Sequence, residues 1–282
     1  MNGPARRAVA RAFRRAAGSY AAADFLHREI RARLLERLDL MTLQPATVLD
    51  LGAGPPEATV ALASRFPDSR VLALDLVPAM LGAAAQAWDR IGADAARLPL
   101  PDQSVDLVVA GMLLHWCEDA AAVLTEARRV LRFPGLLLIS TLGPDSLREL
   151  RAAWAGVDRY THTLGFPDMH NLGDALVRAG FAEPVVDAHQ LTITYRDTAR
   201  MHEDLRGVGA TDLSPGRRRS LTGRGLWAAM TAALDRKRRA DGTLPVTVEV
   251  IYGHAWAGDP ARRFAEPAGD ISVPLDRLLR HR

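Results

Sequence analysis

Cysteine is all but absent. Cys117 is the only one in 282 residues, so no internal disulfide can form and a secreted scaffold held by cross-links is excluded. A reducing compartment, the cytoplasm, is the expected location. Lysine is equally scarce: Lys237 stands alone and the positive charge is arginine, a skew that owes as much to genomic base composition as to function. Long apolar runs are missing too. The best, Val105 to Leu114 and Leu136 to Ile139, fall well short of the roughly 20 residues of a membrane-spanning helix and have the length of buried strands. No internal repeat is found, and no His-Asp-Ser arrangement or metal-ligand spacing stands out, because the histidines are scattered singly.

Acidic residues are missing from the start of the chain, where Arg6, Arg7, Arg11, Arg14 and Arg15 precede the first acid, Asp24. That composition resembles a mitochondrial transit peptide. Serine is scarce there, however, and Val9, Ala12, Phe13 and Ala16 fall on one helical stripe, so we read a structural helix that packs on the folded body.

What is present bounds the rest. An apolar content of 48% is ample for a large core. The net charge is only +3, yet Arg217, Arg218, Arg219, Arg224 and the run Arg236 to Arg239 concentrate basic residues in one stretch. Such a stretch is either a site for an acidic partner or a solvated helix face.

Helical patterns cover about residues 5 to 17 and 22 to 39, and Gln44-Pro45 breaks the chain. Thr47 to Leu51 reads as a strand, Glu57 to Arg65 as a helix, Arg70 to Asp75 as a strand, Pro78 to Trp88 as a helix and Val105 to Gly111 as a strand. Ala120 to Leu131 has helical spacing, Phe133-Pro134-Gly135 reads as a turn, and Leu136 to Thr141 as a strand. Strands apolar along most of their length, alternating with helices, predict a mostly parallel, doubly wound α/β sheet covered on both faces. Beyond it, residues 144–170 are mixed, Asn171 to Ala179 is helical, Val185 to Tyr195 looks like strand, residues 198–243 read as helices, and Thr247 to Trp256 resumes as a last strand before a Pro- and Gly-rich tail. The expected organisation is one domain: N-terminal helices (1–40), a cofactor-binding core (45–143), lid insertions (144–170 and 198–243) and a last strand with tail (244–282).

The strongest motif is Val48-Leu49-Asp50-Leu51-Gly52-Ala53-Gly54, a strand entering a glycine pair and then a helix. Glycines there let the backbone turn and approach a ligand outside the carboxyl end of the first strand. Asp75 ends the second strand, where a carboxylate can accept both hydroxyls of an adenosine ribose. A pyrophosphate needs amide donors at the helix start, but Pro55-Pro56-Glu57 removes two of them and adds an acid. A cationic sulfonium with an ammonium group suits that loop better. Asp94-Ala95 precedes the strand at Val105; the acid can accept from an adenine amine, and Ala95 can offer a backbone donor.

With these elements, and with Asp75 to Leu81, Asp106-Leu107-Val108-Val109, Arg129-Val130-Leu131 and Pro134-Gly135, the chain resembles the class I S-adenosylmethionine-dependent methyltransferases. More narrowly it resembles the malonyl-acyl-carrier-protein O-methyltransferases of biotin synthesis, through Phe13 to Tyr20, Leu114-His115-Trp116, Thr141 to Pro144, Leu147 to Trp154, Asp204 to Ala210, Leu221 to Arg224 and Tyr252 to Trp256. The resemblance implies a seven-stranded sheet of the Rossmann-like kind with a helical lid. It also implies S-adenosyl-L-methionine held at Asp50, Gly52, Gly54, Asp75, Leu76, Met80, Asp94, Ala95 and Met112. One departure stands out: Pro56 replaces the family's third motif glycine, which reshapes the loop beside the methionine moiety.

The activity so implied is methyl transfer to the free carboxylate of malonyl-acyl-carrier-protein, or of malonyl-CoA. It calls for no general acid or base and no metal, since a carboxylate with pKa about 4 is already ionised. The expected substrate-binding residues are Tyr20, His115, Trp116, Arg206 and Arg224, the arginines gripping the carboxylate. The partner is acidic acyl carrier protein, docked on the basic stretch from Arg217, and not nucleic acid. Two other readings stay open. Leu114-His115-Trp116, Asp241 to Pro245 and the tail from Arg263 to Pro274 also resemble a mitochondrial complex I assembly factor of the same fold that hydroxylates an arginine. A binding module that lost its cofactor through Pro56 is the other.

Overall fold

The structure, a computed structural model, describes residues 3–82 and 88–259. Three helices open the chain, α1 (Arg6–Ala16), α2 (Tyr20–Ala23) and α3 (Phe25–Glu36). Then come β1 (Thr47–Leu51), α4 (Glu57–Arg65), β2 (Arg70–Asp75), β3 (Asp89–Gly92), β4 (Val105–Gly111), α5 (Ala120–Val130) and β5 (Leu131–Leu142). The second half carries α6 (Arg148–Ala155), α7 (Met169–Arg178), β6 (Phe181–Tyr195), α8 (Thr198–Gly207), α9 (Arg224–Asp235) and β7 (Leu244–Ala257). The strands form one sheet in the order β3-β2-β1-β4-β5-β7-β6, parallel except for β7, which runs antiparallel to both its neighbours. This is the expected doubly wound α/β sheet. From β1 the chain winds outward to β2 and β3, then crosses back to β4, so the crevice that such folds use for ligands opens at the carboxyl ends of β1 and β4.

The apolar residues of β1 point to both faces. Val48 packs with Ile30 and Leu34 of α3 and Leu62 of α4, whereas Leu49 and Leu51 pack with Val123 and Leu124 of α5 and Leu176 of α7. Burying each such side chain contributes about 1.5–3 kcal/mol, which explains why this strand has no exposed register. Asp50 is the exception, a carboxylate buried in the middle of that strand. Aspartates set the helix starts: Asp119, Asp168 and Asp197 accept hydrogen bonds from the amides of Ala122, Asn171 and Ala199 at the heads of α5, α7 and α8.

Three expectations change. The helix expected over Pro78 to Trp88 is only a single 3₁₀ turn, Pro78–Met80, within the described residues, because residues 83–87 lie outside them. The edge strand β3 follows; its sequence Asp-Arg-Ile-Gly is too short and too polar to show a strand pattern. The Phe133-Pro134-Gly135 turn lies inside β5: pairing passes from Val105 with Leu131 directly to Leu107 with Leu136, and residues 132–135 bulge out of the register. The helix expected over 22–39 is broken at Asp24, whose buried carboxylate pairs with Arg28 at 3.0 Å and Arg31 at 3.7 Å.

Helices α6, α8 and α9 build a separate small core from Leu150, Trp154, Met201, Met230 and Leu234, closed by Leu244 and Val246 of β7. The end of α8 meets the N-terminal helices at very short range. A Cβ on Gly207 would lie 2.6 Å from the Cβ of Ala23, and Gly209, at φ +76°, lies against Ala16 and Phe13. Gly207→Val is therefore expected to destabilise the protein by about 1–3 kcal/mol through overpacking, outweighing the conformational freedom that glycine loses on folding; urea denaturation with an unchanged midpoint would refute this close contact.

Candidate active site

The turn after β1 is pinned to β2. The amides of Gly52 and Ala53 both donate to the Leu74 carbonyl, at 2.8 and 3.0 Å. Gly52 takes φ +71°, and a Cβ there would meet Leu113 at 2.7 Å, so only glycine fits. Gly54, at φ +58°, donates its amide to Asp75 Oδ2 at 3.0 Å, while Asp75 Oδ1 accepts from the Val77 amide at 2.7 Å. One carboxylate thus ties the loop after β1 to the loop after β2.

These loops border a cavity of about 550 Å³, within the size range of cofactor sites. Asp50, Gly52, Gly54, Asp75, Asp94 and Ala95 all line it, as do Leu76, Met80, Met112, Trp116 and Tyr20. The structure therefore brings together every residue expected to hold the cofactor and two of those expected to meet the substrate. Pro55 forms part of the wall. Pro56 does not: it stands at the head of α4, its carbonyl accepts from Val60 at 2.8 Å, and its ring faces Gly82. Proline is tolerated there because a first-turn amide has no helical partner. The two prolines leave the crevice open.

The electrostatics favour a cation. Asp50 accepts from Thr59 Oγ1 at 2.7 Å, yet burial pushes its carboxyl up to about 6, with the nearby Asp75 adding to the rise. Burial also raises Asp75, against the pull of its two amide donors. Adding an anionic pyrophosphate to this wall would be repulsive; a positively charged ligand relieves it. Asp94 differs from expectation. One oxygen accepts from the Ala96 amide at 3.0 Å and the other pairs with Arg6 of α1 at 2.6 Å, so an adenine amine would share this carboxylate with a guanidinium.

A second, smaller cavity, about 120 Å³, lies under the lid and shares His27, Met112 and Trp116 with the first. His115 lines it, its Nδ1 3.1 Å from Thr141 Oγ1. Burial pushes His115 down to about 3 and His27 down to about 4, so both imidazoles are neutral near pH 7. The buried Nδ1 of His27 has no hydrogen-bond partner. Among the described residues, no arginine or lysine lines this chamber. That departs from the expected arginine grip: Arg206 lies across α8, in an outer groove, and Arg224, exposed at the start of α9, lines none of the three cavities described here. Trp116 stacks edge-on against Phe13 of α1, with centroids 5.1 Å apart.

Sequence reasoning missed His27 and Arg31, which line the larger cavity together with Ile30 and Leu34 of α3. Positions 27, 30, 31 and 34 follow helical one-face spacing, and two polar residues inside that otherwise apolar stripe were the available signal.

A family described as "Methyltransferase domain" matches residues 49–139. Over 273 residues the chain is 46% identical to a malonyl-[acyl-carrier protein] O-methyltransferase of Methylovorus sp. (strain MP688), covering 93% of this chain and 91% of that protein. A protein of the same name from Laribacter hongkongensis (strain HLHK9) is 45% identical over 271 residues, with 90% and 91% covered. Among solved structures, the Haemonchus contortus phosphoethanolamine N-methyltransferase 2 in complex with S-adenosyl-L-methionine aligns with a TM-score of 0.53 at 15% identity, covering 86% of this chain and 57% of that one, which is a likeness of fold.

Two measurements test the larger cavity. Asp75→Ala is expected to weaken S-adenosylmethionine binding by about 1–3 kcal/mol, as for loss of a charged acceptor; calorimetry giving wild-type affinity would remove Asp75 from the site. Because the pKa of Asp50 in the folded protein is raised, its ionisation costs the ligand-free fold stability as pH rises through about 6, and a cation offsets that cost. Affinity for the cationic ligand should therefore rise about fivefold to tenfold from pH 5 to 7, and Asp50→Asn should flatten the profile.

Proposed function

The chain belongs to the malonyl-[acyl-carrier protein] O-methyltransferase family, and on that basis we propose that it methylates the free carboxylate of malonyl-acyl-carrier-protein, using S-adenosyl-L-methionine, to start the pimeloyl chain of biotin. The observation that carries this reading is the pairing of two cavities through one wall. A carboxylate-lined cavity suited to a cationic nucleoside meets a small apolar chamber at His27, Met112 and Trp116.

When bound, S-adenosylmethionine supplies an electrophilic methyl group on a sulfonium. The chain's own residues bind, orient and dry the reactants. Asp75 would accept from the ribose hydroxyls with the lone pairs its two amide bonds leave free, Asp50 would balance positive charge, and Leu76, Met80 and Ala95 would hold the base. Arg31, the arginine of α3 that lines this cavity, is suited to the carboxylate of the methionine moiety. On the other side of the wall the acceptor needs no activating base, because a carboxylate is ionised at neutral pH. It must be aligned and desolvated, and alignment alone can be worth roughly 7 to 11 kcal/mol.

That no arginine lines the chamber among the described residues helps here. A guanidinium would hold the carboxylate firmly but draw electron density from the attacking oxygen; a neutral imidazole N–H orients it without that cost. We assign this task to His115 and His27, whose low pKa values also prevent them from protonating the nucleophile. Trp116 and Tyr20 exclude water from the seam. The carrier protein and the reduced Cys117 both fit a cytoplasmic setting.

The open crevice beside Pro56 argues against the cofactor-less binding module. The arginine hydroxylase reading rests partly on residues 263–274, which lie outside the described residues. Mass spectrometry of malonyl carrier protein after incubation with enzyme and S-adenosylmethionine should show the gain of one CH₂. Addition of one oxygen to a protein arginine, or no change at all, would overturn the proposal. His115→Phe is expected to lower kcat/KM about tenfold to a hundredfold, the worth of a hydrogen bond to a charged group, with cofactor affinity retained; undiminished turnover would take His115 out of the chamber's chemistry.

A further inference from the structure

Outside the chamber, a groove of about 680 Å³ runs between α1 and the lid. Arg11 and Arg15 of α1 line one side, and Arg206 of α8 and Arg217 of the following loop line the other. Each guanidinium lacks an ion pair with any described residue: Arg217 donates only to the Leu213 and Ser214 carbonyls, at 3.5 and 3.1 Å, and no salt bridge involves Arg11, Arg15 or Arg206. The single acid in the groove, Glu203, lies 3.7 Å from Arg200, on its own helix. Four like charges against one acid leave the groove positive and repel one another, and the close approach of Gly207 and Gly209 of the lid to the N-terminal helices brings them together.

We propose that this groove receives the phosphodiester of the carrier protein's phosphopantetheine arm, an inference that rests on the malonyl carrier reading above. Arginine forks match phosphate oxygens two at a time, and a concave cationic site suits a compact dianionic or monoanionic group better than a broad protein face. Position supports this. Thr211 lines both the groove and the chamber, and the chamber in turn shares His27, Met112 and Trp116 with the cofactor cavity. An arm anchored by its phosphate in the groove would lead past Thr211 into the chamber, bringing the malonyl end to the seam. The distribution of charge also orients the arm: the phosphate finds four arginines, whereas the described lining of the chamber has no arginine or lysine and includes two carboxylates, Asp204 and Asp212, so the more highly charged phosphate is held in the groove. A carboxylate end could not compete for the groove against a phosphate tethered to the same chain.

The experiment compares malonyl-phosphopantetheine with malonyl-pantetheine, which lacks the phosphate, on the full-length enzyme. Wild type should show a KM about tenfold or more lower for the phosphorylated arm. Arg11→Gln/Arg15→Gln should erase that preference while leaving kcat and the KM for malonyl-pantetheine unchanged, and Arg206→Gln should raise the KM for the phosphorylated arm in the same way. Calorimetry with free phosphopantetheine against pantetheine reads the groove without turnover, so a failure of methyl transfer is distinguishable from a failure of phosphate binding. Equal affinity of the wild type for the two arms, or a preference that survives both sets of substitutions, overturns the inference; thermal melting of each variant confirms that it remains folded.

Discussion

A single carboxylate holds the ligand crevice in shape. Asp75 accepts one amide from the loop after β1 and one from the loop after β2, so the two segments that must face an adenosyl group are fastened by the group that would also contact it. The arrangement is strained electrostatically, since both carboxyls are buried and Asp75 lies close enough to Asp50 to raise the cost of ionising it. A ligand with net positive charge resolves the strain, which is why the same loop geometry that serves pyrophosphates elsewhere serves a sulfonium here.

Charge is sorted along the molecule. Asp50, Asp75 and Asp94 line the donor cavity, the neutral imidazoles of His27 and His115 line the smaller chamber beside Asp204 and Asp212, and four arginines without an ion pair to any described residue line the outer groove. On the proposals above, each zone would suit one of three groups: a cation, a nucleophilic anion that must stay nucleophilic, and a phosphate that must only be held. Mixing them would be costly. An arginine in the chamber would quench the nucleophile, and a further carboxylate in the groove would neutralise the anchor.

Much of this was legible in the residues. The sheet was, because β1, β2, β4 and β5 are buried on both faces and their apolar runs say so; β3 was not, because a four-residue edge strand with one apolar side chain, Ile91, carries no pattern. The cofactor wall was legible too, since glycines at positive φ and acids at strand ends have few other uses. The substrate side was harder. Arg206 looked like a carboxylate ligand because guanidinium and carboxylate match chemically, but which side of α8 faces the chamber depends on how Gly207 and Gly209 seat that helix, a tertiary fact. His27 and Arg31 were hidden in a helix legible only as a helical pattern, with no role read from its polar positions.

Helix α1 has a double allegiance. Its Arg6, Val9 and Phe13 roof the donor cavity, and its Arg11 and Arg15, on the opposite flank, wall the outer groove. The same short segment is latched to the core by the Arg6–Asp94 pair and by the Gly3 amide on the Glu118 carbonyl. Were this roof to lift for exchange of spent cofactor, half of the proposed phosphate anchor would be dismantled at the same moment. On that proposal a carrier held in the groove would keep α1 down over the donor cavity, coupling release of the methylated carrier to renewal of the methyl donor through one helix.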